Sequence, residues 1–387
     1  MESRDDVRFS KKDYGEDQMI SWYRLRFPLM LLGMLSLVAG LWTGLSRLGW
    51  DIPELRSGLL VSHGPLMVCG FLGTVIGLER AVALDRPWAY LAPFLSGIGS
   101  ALVIFTQQET AGRLLITAGS LFFVMVFIAI LRRQLAVFTV TMGLGALFWL
   151  VGNILWLAGY PVYLVVSWWA GYLILTIAGE RLDLSRLLSP SRSSYFIFFA
   201  AIGLFLAGVV YSISNPAIGI RVLGLGIVAL TVWLVRHDIA TKTVRMQGLT
   251  KFVAVCLLSG YFWLGVSGLF ALFTGELMGG TPTYDAMLHS LFLGFVLAMI
   301  FGHAPIIFPA VLQVPIIYTP LFYSHFALLE FSLVLRITGD LTSTASAVKW
   351  GGLLNAASLV LFLVNTALGG VRGLISQKER HPNALSL

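Results

Sequence analysis

Six histidines occur in this 387-residue chain, and four of them, His63, His289, His303 and His325, fall inside long apolar stretches. His63 lies in LLVSHGPLMVCGFLG and His289 in AMLHSLFLGFVLAMIFG. An ionisable or metal-binding side chain is costly in such surroundings and marks a functional site by default. Neutral imidazoles from two helices can close on one metal ion, each through a single ring nitrogen. Taken singly, each histidine reads equally as an imidazole hydrogen-bonded to a neighbouring helix. His237, in RHDIATKTVR, and His381, in KERHP, sit in basic polar segments and read as ordinary solvated side chains.

The elements that must position these residues follow from composition. The chain is 57% hydrophobic and 12% charged, with mean hydropathy +0.85, which places it among integral membrane proteins. About 20 apolar residues span a bilayer core as a helix. On that criterion twelve spans are expected, at roughly 27–47, 57–78, 87–106, 112–131, 136–158, 161–179, 194–213, 217–235, 250–274, 284–308, 315–336 and 346–369. The expectation is an all-α polytopic bundle over 25–370, with polar tails at 1–24 and 371–387 and no room for a separate soluble domain. Residues 1–20 carry no signal-peptide core, so the first span is expected to be retained.

With the N-terminus inside, only Arg47, Arg56, Arg113, Arg221, Arg336 and Lys349 among the 26 basic residues fall on the outward side. That bias predicts both termini on the cytoplasmic side, in a bacterial inner membrane. The net charge of +7 then reflects topology and not nucleic-acid binding. Cys69 and Cys256 lie within spans and imply no disulfide framework.

Depth ties the first two histidines together. His63 and His289 each stand about five residues, or ~8 Å, inside the outward end of an inward-running span. Both imidazoles therefore meet one plane, as the two axial ligands of a haem iron must. The chain has no CxxCH motif, so the expected haem is of b type, held by coordination and burial. Gly64, Gly70, Gly73 and Gly294 leave space where a macrocycle could lie against backbone, although glycines serve close helix packing equally well.

His303 lies fourteen residues beyond His289, ~21 Å deeper, and His325 is placed at or below mid-membrane. These two could meet at a second metal, on a proton path, or as buried polar contacts. Pro305, Pro309 and Pro315 should bend or end the tenth span. Glu330, in HFALLEFSL, shares the predicted depth of His63 and His289 and is a candidate proton donor, or a hydrogen-bonded structural acid. Arg56 and Arg336, at outward span ends, are placed to meet haem propionates.

A faint repeat runs through the chain. The second span closes with GTVIGLER, the sixth with LTIAGER and the tenth with AMIFGH, as three sets of four helices would produce. Glu79–Arg80 and Glu180–Arg181 are expected as structural boundary pairs.

A haem held by helices two and ten of a twelve-span protein resembles the catalytic subunit of haem-copper oxidases and nitric oxide reductases. HGPLM from His63 is similar to the His-Gly-x-x-Met of that family's second helix. His289, with Gly294 five and Pro309 twenty residues on, is similar to its tenth. The resemblance implies a haem on His63 and His289. It departs in two places: residues 161–213 contain none of the copper-ligating histidines, and Met287 stands where the family carries a second haem-ligating histidine. Copper and oxygen reduction are therefore not expected; a second haem would need Met287, His303 or His325 in an unfamiliar role.

The chain also resembles the NnrS family, twelve-span haem proteins linked with the response to nitric oxide. There His63 and the stretch HSLFLGFVLAMIFGHAP carry the likeness, with Ala304, Pro305 and Ile306 replacing that family's Thr-Gly-Arg. The function implied is electron transfer or nitric oxide response through a bis-histidine haem, with lipid, an electron-donor subunit or cytochrome, and a small gas as partners. A different class stays open: a proton-coupled secondary transporter or channel using the buried His and Glu.

Overall fold

The chain folds as an all-α bundle in a computed structural model that describes residues 13–380 except 189, 276 and 277. Side chains are described from residue 24, apart from those of 187 and 380. His381 and the ends of both expected tails lie outside the described residues.

Among the described residues twelve long helices follow one another: α1 (Asp13–Arg47), α2 (Leu59–Leu84), α3 (Pro87–Phe105), α4 (Glu109–Arg133), α5 (Val137–Leu157) and α6 (Val162–Ser185), then α7 (Arg192–Tyr211), α8 (Pro216–His237), α9 (Gly248–Thr274), α10 (Pro282–Leu312), α11 (Phe322–Leu341) and α12 (Ala345–Arg380). All except α11 contain a stretch long and apolar enough to cross a membrane, so the protein is an integral membrane protein. Its apolar outer side chains, among them Phe196, Phe262, Phe273 and Phe331, are exposed to lipid. Helix α11 has 20 residues but carries His325, Glu330, Arg336 and Asp340, which dilute its hydropathy.

Two boundaries correct the reading from sequence. The eleventh span does not begin at 315: residues 313–319 form no helix, and α11 starts at Phe322. Gln313 stops α10 in the left-handed conformation (φ 56°), while Pro315 and Pro320 keep the following stretch out of a helix. This non-helical strip docks on α12 instead, where Ile317 N–H donates to the Gly369 carbonyl at 3.1 Å. Pro305 and Pro309 do not end α10, which runs through both to Leu312. Residues 371–380, expected as tail, continue α12.

Sequence neighbours pack side by side through most of the chain, and α12 returns to α1. Inside this ring stand every fourth helix. The most apolar window of α6 is 78% buried and those of α2 and α10 are 61% buried, against 33–56% for the other candidate spans. The three contact one another at the end of the bundle where α2 and α6 finish: Arg80 pairs with Glu180 and Glu79, and Arg181 donates to His303. The GLER, AGER and FGH endings thus meet as one polar cluster, as three sets of four helices would place them.

Both α2 and α10 change pitch near their starts. Each widens into a π-helical stretch, Leu66–Leu72 in α2 and Ser290–Leu297 in α10. Such stretches are rare in helices and concentrate at functional sites.

Candidate functional site

The two π stretches each begin just after a histidine that faces the same space. His63 and His289 line one cavity of about 740 Å³, between α1, α2, α6, α10, α11 and α12. The deep walls are apolar, from Met67, Phe71, Val166, Phe292, Leu297 and Leu359. The rim is formed by Gly159, Tyr160 and Pro161 before α6 and by Gly279 and Gly280 before α10. Arg47, Arg113, Arg336 and Asp285 stand at that same end.

Each imidazole is oriented through Nδ1. On His63 this nitrogen is 2.7 Å from the Gly40 carbonyl of α1, and on His289 it is 2.9 Å from the Asp285 carbonyl one turn earlier. A carbonyl only accepts, so each Nδ1 carries a proton, and in the neutral imidazole each Nε2 keeps its lone pair. Neither Nε2 has a protein partner among the described residues. This is the arrangement of metal-binding histidines, whose other ring nitrogen donates to a carbonyl or carboxylate. Gly44 makes the His63 placement feasible: a Cβ there would lie 2.9 Å from the ring Cε1.

His289 has a further partner. Its Nδ1 lies 3.2 Å from Asp285 Oδ1, and the same carboxylate takes a two-pronged contact from Arg336, at 2.9 Å from Nε and 3.1 Å from Nη2. Asp285 was not singled out from sequence, though its spacing four residues before a candidate ligand on a helix is a readable signal. Arg47 was also missed. It is exposed at the rim and has no ion-pair partner among the described residues.

The remaining expected site residues divide clearly. Arg336 lines the cavity. Arg56 does not: it binds Glu109 at 2.9 Å, Gln107 at 2.9 Å and the Val103 carbonyl at 3.1 Å, because the turn before α2 carries it toward α3 and α4. Met287 is buried in the apolar core and does not line the cavity. Glu330 is likewise outside it, accepting from Ser259 Oγ at 2.6 Å and Trp263 Nε1 at 2.8 Å, so α9 ties up the carboxylate expected as a proton donor. Of Gly64, Gly70, Gly73 and Gly294, only Gly64 lines the cavity; the others let neighbouring helices approach.

His303 and His325 do not share a site. His303 donates from Nδ1 to the Met299 carbonyl at 2.7 Å and accepts the Arg181 guanidinium on Nε2 at 3.0 Å, leaving no lone pair for a metal. His325 accepts from Asn365 Nδ2 at 3.1 Å, and its ring is enclosed by Phe252, Phe301, Phe322 and Phe362. Among the described residues no cluster of three or more His, Cys, Asp or Glu could hold a metal ion.

A haem fits the cavity by the chemistry of its walls. Two lone-pair nitrogens are presented from separate helices, the walls are apolar, and arginines at one end suit carboxylates. The volume lies within the several hundred to about 1,000 Å³ usual for cofactor pockets.

Comparison with protein families finds a match over residues 26–371, to a family described as a domain of unknown function (DUF8744). Comparison with curated proteins finds no match.

Proposed function

The chain belongs to the DUF8744 family, and we propose that it is a haem-binding integral membrane protein, holding one non-covalent b-type haem between His63 and His289. The observation that carries this reading is the shared cavity lined by both histidines, each with Nδ1 engaged by a carbonyl and Nε2 without a protein partner among the described residues. When bound, a haem supplies one-electron chemistry and an iron open to axial ligands. The residues of the chain bind and orient it: the Gly40 and Asp285 carbonyls fix the two rings, the apolar walls exclude water, and Arg47 and Arg336 attract carboxylates at the rim.

Electron transfer, or the handling of a small gas such as nitric oxide, is the role this arrangement supports. With the excess of Lys and Arg placed inside, the rim faces the extracytoplasmic side of a bacterial cytoplasmic membrane and both termini are cytoplasmic. An electron-donor protein would then approach from the rim.

The test is optical. Protein purified in detergent from haem-replete cells is expected to show a Soret band and a sharp reduced α-band, with a pyridine haemochrome of b type. His289→Ala is expected to lose the reduced α-band and His63→Ala to alter it, whereas His237→Ala, at the far end of α8, leaves the spectrum intact. Colourless wild-type protein that takes up no added haemin would overturn the reading and favour a proton-coupled transporter, for which the cavity between non-uniform helices also serves.

A further inference from the structure

The two histidines are built alike in tautomer and unlike in support. We propose that Asp285, itself held by Arg336, is a positioning residue that makes His289 the anchoring nitrogen donor of the cavity and leaves His63 the weaker, replaceable one. This rests on the haem reading.

Three observations carry it. First, the single Nδ1–H of His289 is shared between two oxygens of one residue, the Asp285 carbonyl at 2.9 Å and its carboxylate at 3.2 Å, whereas that of His63 has only the Gly40 carbonyl at 2.7 Å. A carboxylate on the far ring nitrogen raises the basicity of a ligating imidazole more than a neutral carbonyl does. Second, the carboxylate cannot drift, because Arg336 holds both of its oxygens from α11. Third, the backbones differ. Asp285 and His289 share one regular turn, started by the Thr281 cap and Pro282 at the first helical position. His63 sits where a short 3₁₀ turn, Leu59–Ser62, passes into the helix, and Pro65 just beyond lacks an N–H.

The experiment titrates haemin into purified apoprotein and measures the reduction midpoint of the loaded protein. Asp285→Asn keeps the shape of the side chain and removes its charge. It is expected to weaken haemin affinity about 10- to 100-fold, the usual cost of losing such a partner, and to raise the midpoint potential, since a negative charge near the iron favours the oxidised form. Asp285→Glu should restore much of both. His63→Ala should retain haemin as a complex with one protein ligand, and added imidazole should return its spectrum toward wild type. His289→Ala should lose haemin far more completely.

Equal loss in His63→Ala and His289→Ala overturns the proposal, as does an Asp285→Asn protein with wild-type affinity and potential. Apoprotein melting temperatures separate a folding defect from a ligand effect, because a charge acting only on structure would lower melting without moving the potential of the protein that remains folded. A wild-type protein that binds no haemin rejects the haem reading itself.

Discussion

Glu330 shows how a residue that stands out in the sequence can turn out to be held by its neighbours and to lie outside the cavity. It is a carboxylate within a span, but Ser259 and Trp263 satisfy it from α9. The same indole lies on Gly294: a Cβ there would stand 2.3 Å from Trp263 Cγ and 2.4 Å from its Cβ. Those atoms are too close to the backbone of α9 to swing aside, so Gly294→Ala is expected to destabilise by about 1–3 kcal/mol and to pull the indole from Glu330. Thermal unfolding in detergent, followed by tryptophan fluorescence, checks this; an unchanged melting temperature would mean that the helices separate freely there. His63 and His289 were legible because depth in a membrane is set by counting residues from a helix end. Arg47, Arg56 and Asp285 were not, because which way a side chain leaves a helix end depends on the turn beside it.

Helix existence was legible almost throughout, since a run of apolar residues in lipid has little alternative to a helix. The exception was the start of α11. Apolar residues at 314, 316 and 317 extended the hydropathic signal past Pro315, although that strip is non-helical and bonds to α12 through Ile317. The π stretches left no trace in hydropathy, because a wide turn changes neither length nor composition. They are nonetheless the feature of α2 and α10 most open to experiment. A π stretch amounts to one residue inserted into an α-helix, and each residue turns the chain by about 100°. Deleting Val68 should restore the α pitch and rotate His63 away from the cavity, with loss of haemin binding. Val68→Ala, which keeps the register and only trims the cavity wall, should still bind haemin. If the deletion protein still bound haemin fully, the π turn would have no part in aiming the histidine. The same comparison applies at Val296 and His289.

On the scale of the molecule, the three inner helices are joined at one end by charge and separated at the other by the cavity. His63 and Arg80 are seventeen residues apart in α2, about 25 Å along the helix. The Arg80–Glu180 and Arg181–His303 contacts therefore close the bundle far from the two lone-pair nitrogens. A part-buried ion pair contributes little beyond its apolar replacement, but removing one partner strands the other. Arg80→Met alone is expected to cost about 1–3 kcal/mol, since Glu180 and Glu79 would be left facing each other without a cation. Adding Glu180→Leu should recover part of that loss. Neither protein should show a shifted Soret band or a changed haemin affinity. That outcome would establish the cluster as the structural clasp of α2, α6 and α10. Should Arg80→Met instead alter the spectrum while melting normally, the inner end would be coupled to the cavity, and the buried Arg181–His303 contact would be the place to look for a charge path between them.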